Sequence, residues 1–345
     1  MRTRKIVLIL AITTFSSLSS CVNKQKEDKY ASMPQELADI YRKIEKKPTD
    51  PLLYFELSDY YMSIGRLDSA LNIAFSAIRI DSNNSSFYIK LSDIYFMMAN
   101  METAEETLER AIALNNKNNE AYLKLAELHF LRKDYNLAEG YVKKAIELQT
   151  HNPKAYHILG WIFREKGDTL AAVRNYLVAV EQNPDYFDTY TELGVLYQCK
   201  RDPLAIDYYN NALNIKPNDA QTLYNMAMFY QDTKNYEKAL EKYRMILQID
   251  PKNNMDFLVL KYALHNMGWV YLMGENKFEE AVVFFTKAID LDNNYVEAVF
   301  NRGLSFENLK EYDNARQDYL YCLKLVNNYP LAVEALNRLD KLPKR

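Results

Sequence analysis

Residues 153–186 read PKAYHILGWIFREKGDTLAAVRNYLVAVEQNPDY, and this stretch decides the fold. Its apolar residues fall at helical spacing in two runs: Tyr156, Leu159, Gly160 and Phe163, then Ala172, Tyr176 and Ala179. Between the runs, Lys166-Gly167-Asp168 reads as a helix stop followed by a fresh start. Asn183-Pro184 ends the second run, because proline cannot continue a helix and biases its predecessor away from the helical region. Small residues at Gly160, Ala172 and Ala179 let two antiparallel helices approach closely. The stretch is a helical hairpin of 34 residues.

Outward from it, the same hairpin recurs with almost no linkers, at 51–84, 85–118, 119–152, 153–186, 187–219, 220–253, 261–295 and 296–329. First helices repeat an aromatic or Leu, then Leu or Met, a small residue and an aromatic. Examples are Tyr122, Leu125, Ala126 and His129, or Tyr190, Leu193, Gly194 and Tyr197. Second helices begin near an alanine: Ala70, Ala104, Ala138, Ala172, Ala205, Ala239, Ala281 and Ala315. With small, aromatic and proline residues at these places, residues 51–329 resemble the tetratricopeptide repeat (TPR) family. The resemblance implies an all-α, right-handed superhelical solenoid of about eight helical hairpins.

A solenoid needs caps, because a terminal repeat otherwise exposes its stacking face. Residues 34–48 supply one, with Leu37, Ile40, Tyr41 and Ile44 on one helical face and Pro48 as a stop. Residues 330–345 supply the other, with Leu331, Ala335, Leu336 and Leu339 expected to face inward. Three places depart from the period. Unit 187–219 is one residue short, with Arg201-Asp202-Pro203 in its turn; residues 254–260 are extra and should lengthen the next helix; unit 261–295 is one residue long near Met273-Gly274-Glu275-Asn276. Such changes either shape a binding face or are tolerated drift at surface turns.

Composition agrees. With only 8 glycines in 345 residues, turn signals for strands are few. A net charge of −3 gives no electrostatic argument for nucleic acid. The sequence lacks a Gly-rich phosphate loop, a Cys-x-x-Cys and a nucleophile elbow, so no catalytic constellation, cofactor or metal site is expected. His157 and His265 share a place in their units but lie four repeats apart, which argues against a shared metal. Cys199 and Cys322 lie three repeats apart, beyond disulfide reach, and are expected to be free thiols.

The N-terminus reads as a targeting segment. Arg2, Arg4 and Lys5 precede an apolar run from Ile6 to Ile12, too short to span a bilayer as a helix. Leu18-Ser19-Ser20-Cys21 resembles a bacterial lipobox. The resemblance implies a signal peptide over 1–20, acylation of Cys21, and a membrane anchor through the N-terminal lipid. Residues 22–33 read as a flexible polar tether. Val22 stands where an inner-membrane retention signal would carry Asp, which favours the outer membrane of a bacterial envelope, on its periplasmic side or at the cell surface.

In TPR proteins the first helices line the concave surface, with places two, five, six, nine, twelve and thirteen facing the groove. Carried onto this chain, place nine includes Trp161, Met228 and Trp269, and neighbouring groove places add Phe96, Phe130, Tyr224 and Leu272. These rings either contact a partner or pack across the inner wall. Asn225, Asn266 and Asn301 occupy place six of three consecutive units, similar to the asparagine ladders that clamp an extended backbone. Asp59, Asp93 and Glu127 form a mixed acidic strip, broken by Lys90 and Lys124. No unit pairs Lys at place five with Asn at place nine, which disfavours chaperone-tail recognition. The expectation is a non-enzymatic adaptor that holds a protein or extended peptide, with a homo-oligomer left open. The alternative is a surface glycan-binding or sugar-capture lipoprotein, which would need aromatics clustered with carboxylates or amides in one patch.

Overall fold

The computed structural model describes residues 29–342; the expected signal peptide and Cys21 lie outside the described residues. Among these the chain is all-α, with eighteen α helices and one π-helical turn and no strand. It divides into two compact units, one ending at Asn116 and the other beginning at Lys117.

The first unit holds α1 (Gln35–Lys46) and two hairpins, α2 (Pro51–Ser63) with α3 (Leu67–Ile80) and α4 (Ser85–Met97) with α5 (Met101–Leu114). Helix α1 caps the stack, with Leu37 and Ile40 buried against Leu57 of α2. Residues 29–33, assigned by composition to the tether, fold back onto this cap. Tyr30 is buried, stacks on Tyr41 at 5.5 Å and donates its hydroxyl to Glu45 at 2.6 Å. One ring with a hydroxyl partner suffices to order a polar stretch that composition alone reads as solvated.

The second unit holds six hairpins. These are α6 (Asn119–Leu131) with α7 (Tyr135–Leu148), α8 (Pro153–Glu165) with α9 (Thr169–Gln182), and α10 (Phe187–Cys199) with α11 (Leu204–Ile215). Then come α12 (Ala220–Asp232) with α13 (Tyr236–Ile246), α14 (Asn254–Trp269) with α15 (Phe278–Leu291), and α16 (Val296–Asn308) with α17 (Tyr312–Leu325). Helix α18 (Pro330–Leu339) closes the stack. Its inward face is Ala332, Ala335 and Leu339, while Leu331 is 49% exposed, which corrects the expected register at one position. Leu331 stands at the second helical position, where the chain has barely turned toward the stack.

Local chemistry explains the boundaries. The residue ending most repeats is Asn or Asp, and its side chain caps the next first helix. Asn84 accepts from Ser86 N at 3.1 Å, Asn152 from Ala155 N at 3.1 Å and Asp219 from Thr222 N at 2.8 Å. Each such cap contributes about 1 kcal/mol. Within hairpins, every turn carries one residue in the left-handed region. Only Gly65 and Gly167 are glycines; Ala99, Lys133, Arg201, Lys234, Asn276 and Lys310 take the same conformation. A backbone bond such as Asp168 N to Phe163 O at 2.9 Å then closes the helix end in a Schellman arrangement.

The hairpins are held shut by a small residue facing a large one. All eight second-helix alanines are at most 1% exposed. Gly160 faces Tyr176, Gly194 faces Tyr209, Gly268 faces Phe285 and Gly303 faces Tyr319 at such short range that a Cβ would strike each ring. The seven extra residues lengthen α14, which starts at Asn254. The extra residue of the same repeat is absorbed by the π-helical turn Val270–Gly274.

Candidate functional site

In the second unit the first helices of neighbouring repeats touch one another and form one wall. Buried His157 of α8 hydrogen-bonds Thr189 of α10 through Nδ1 at 2.8 Å. Burial holds this imidazole neutral, with its pKa pushed down to about 4. Trp161 donates from Nε1 to Glu192 of α10 at 3.0 Å, and Arg164 of α8 also binds Glu192. The same indole stacks on Phe130 of α6 at 5.9 Å and meets His157 edge-on at 4.4 Å. Trp161 and Phe130 are therefore half-buried, interlocked parts of the wall with only part of each ring offered outward.

A second network runs through α12, α14 and α16. The Asn266 amide nitrogen donates to Tyr224 Oη at 3.0 Å and approaches Met228 Sδ at 3.1 Å and Tyr243 Oη at 3.3 Å. Its carbonyl oxygen lies 3.1 Å from His265 Nδ1, and His265 Nε2 lies 3.1 Å from the Asn301 amide nitrogen. One neutral tautomer satisfies both contacts: Nδ1–H donates to Asn266, and Nε2 accepts from Asn301. Burial, opposed in part by the Asn266 bond and the Glu297 charge, lowers the His265 pKa and favours that neutral form. The three ladder asparagines are thus unequal. Asn266 is engaged inside the wall, Asn301 is bridged to it through His265, and the Asn225 side chain, among the described residues, bonds only Gln221 of its own helix, at 2.9 Å.

The remaining positions divide sharply. Trp269 is half-buried in the large apolar cluster of the second unit. Leu272, expected in the groove, is 3% exposed, because the π-helical turn rotates it inward. Met273 follows it outward at 57% exposed, and Leu131 on α6 is 54% exposed. In the first unit, Phe96 lies exposed near the end of α4 with Met97 beside it. The acidic strip is partly neutralised in place, since Lys90 binds Asp59 at 2.8 Å and Lys154 binds Glu127 at 2.9 Å.

Sequence reasoning passed over one element of the wall. In three hairpins the tyrosine that fills the hairpin also reaches its hydroxyl to the twelfth residue of the first helix. Tyr209 reaches Gln198 at 2.5 Å, Tyr243 reaches Gln231 at 3.0 Å and Tyr319 reaches Glu307 at 2.6 Å. In repeat 153–186 that place is Arg164, which cannot accept, and the buried Tyr176 hydroxyl has no partner among the described residues. The signal was present in the sequence as Tyr spaced eleven or twelve residues after Gln or Glu. Among the described residues no group of His, Cys, Asp or Glu could hold a metal ion, and Cys199 and Cys322 are free thiols.

Family comparison agrees with this architecture. Separate matches described as tetratricopeptide repeat cover residues 90–153, 153–186, 218–294 and 297–332. The chain is a tetratricopeptide repeat protein. This TPR chain is 26% identical over 159 residues to the probable UDP-N-acetylglucosamine–peptide N-acetylglucosaminyltransferase SPINDLY of Hordeum vulgare, covering 46% of the chain and 17% of that protein. It is 28% identical over 162 residues to the type IV pilus assembly protein PilF of Pseudomonas aeruginosa, covering 47% of the chain and 62% of that protein. The chain spans 17%, 27% and 39% of the lengths of three curated relatives, so the similarity covers only part of each. A solved structure of Pseudomonas aeruginosa PilF superposes with a TM-score of 0.50 at 18% identity, over 67% of this chain and 98% of that one, and shares the fold.

Proposed function

We propose that this TPR protein is a non-enzymatic scaffold that holds an extended segment of a partner protein along the first-helix wall of residues 119–329. One observation carries the reading. The wall is already hydrogen-bonded into a fixed surface, yet it keeps Leu131, Met273 and parts of both tryptophans facing outward. A preorganised wall with outward apolar groups loses little entropy when an extended chain settles on it. The scaffold is anchored to a bacterial envelope membrane through acylated Cys21, in keeping with the lipobox-like Leu18-Ser19-Ser20-Cys21. No helix among the described residues is long and apolar enough to cross a membrane.

A glycan reading draws on one patch, where Tyr224, Tyr262 and Tyr295 gather with Asn266, His265 and Glu297. Its amide, imidazole and Tyr224 hydroxyl already satisfy one another, leaving few groups for sugar hydroxyls. Position-dependent photo-crosslinking tests the scaffold. A crosslinker at Leu131 or Met273 should capture a partner that the same group at Leu137 or Val283, exposed on second helices, does not. Capture from the second helices alone would move the binding surface off the wall.

A further inference from the structure

We infer that the segment bound along the wall of residues 187–329 is cationic; the inference rests on that wall being the binding surface. Its four repeats carry Asp188, Glu192, Asp232, Glu297 and Glu307 at groove places, and neither lysine nor arginine at any of them. Two of these carboxylates are engaged: Glu192 by Trp161 and Arg164, Glu307 by Arg338 and Tyr319. Asp188, Asp232 and Glu297 are exposed, and their side chains form no ion pair or hydrogen bond among the described residues. Two carboxylates of the same unit off the groove places are held by ion pairs, Asp292 with Lys261 and Asp318 with Arg302. The three unpaired groove carboxylates therefore have no cation at the groove places of these repeats to answer them.

Each free carboxylate lies close to a ring on or beside the wall. Burial chiefly raises the hydroxyl pKa of Tyr186, Tyr243 and Tyr295, and the charges of Asp188, Asp232 and Glu297 respectively add to the rise. The rings themselves accept cations. The ammonium of Lys261 stands 5.1 Å from the centre of Tyr262 and 4.9 Å from that of Tyr295, while Asp292 holds it at 2.8 Å. That internal arrangement, an ammonium between a ring face and a carboxylate, is what Glu297 near Tyr295 offers to an incoming lysine or arginine. An acidic segment would meet three unpaired charges of its own sign. A neutral one would leave them unused.

The test titrates the full-length chain with three dodecapeptides alternating serine with lysine, glutamine or glutamate. Tryptophan emission and calorimetry are the readouts. The lysine peptide should bind at least tenfold tighter than the glutamine peptide in 50 mM NaCl, with the preference collapsing by 500 mM. The triple change Asp188→Asn, Asp232→Asn, Glu297→Gln should weaken the lysine peptide about tenfold, roughly 1.4 kcal/mol, and leave the glutamine peptide unaltered. These sites are exposed, and far-ultraviolet circular dichroism checks that the variant folds. Equal binding of lysine and glutamine peptides, or full preference in the triple variant, overturns the charge inference while the scaffold reading stands. Binding of a neutral chito-oligosaccharide with no peptide bound overturns both.

Discussion

Replacing Gly160 by alanine adds a single methyl group and should destabilise the protein. An ideal Cβ at Gly160 falls 2.3 Å from Tyr176 Cε1 and 2.4 Å from Cδ1. Carbon atoms in contact sit about 3.5–4.0 Å apart, so the ring must retreat by more than ~1 Å. Tyr176 is 0% exposed and has no free space to retreat into. Overpacking of this kind costs about 1–3 kcal/mol. Alanine's better helix propensity returns about 1 kcal/mol, leaving a net loss of up to about 2 kcal/mol. The control is Gly140→Ala in α7, where a Cβ meets nothing within 4 Å and the gain should be about 0.5–1 kcal/mol. Adding Tyr176→Leu to Gly160→Ala should recover part of the loss, because the α4–α5 hairpin carries the smaller Leu108 with the larger Ser92 at the corresponding places. Urea unfolding followed by circular dichroism reads all four proteins. Shifts of the same sign for the two alanine variants, or no relief from Tyr176→Leu, would refute the packing argument.

Three further outcomes are expected. His157 titrates near 4 in the folded chain and near 6.5 when unfolded, so below the latter the unfolded chain takes up a proton that the folded chain refuses. Stability should be full above pH ~6.5 and fall by about 2 kcal/mol between pH 7 and 5, with His265 acting in the same direction; His157→Gln should flatten the thermal-stability profile across that window. Ala99→Gly and Lys234→Gly should each raise stability by about 0.5–1 kcal/mol, because both residues hold positive φ; a lower urea midpoint would contradict this. Cys21→Ser should release the protein from the membrane fraction, and unchanged fractionation would remove the lipid anchor from the proposal.

Much of the fold was legible because repetition averages out local ambiguity. One alanine such as Ala172 says little; eight at near-constant spacing place eight second helices, and all eight prove buried. Gly160 likewise stood in the sequence as a small residue that lets two helices approach, although that Tyr176 fills the space above it is seen only in the structure. What was not legible depends on neighbours rather than period. The TPR resemblance puts Asn266 on the inner face, but only the approach of Tyr224, Met228 and His265 shows its amide already engaged. One extra residue near Met273 reads either as shaping a binding face or as drift at a surface turn, whereas the helix takes it up as a π-helical turn and buries Leu272. Trp161 was placed on the groove by analogy, yet its bond to Glu192 and its stack on Phe130 make it structural as well. A test of binding is therefore cleaner at residues the wall does not need.

Leu131 and Met273 are such residues, and Leu131→Glu with Met273→Glu should leave folding intact while disrupting the outward apolar surface. The most direct measurement is a crosslinking capture from intact envelopes, comparing the wild-type chain with this double variant. If the wall is the binding surface, one defined protein should be recovered with the wild type and lost with the variant at equal expression. An identical catch from both would contradict it.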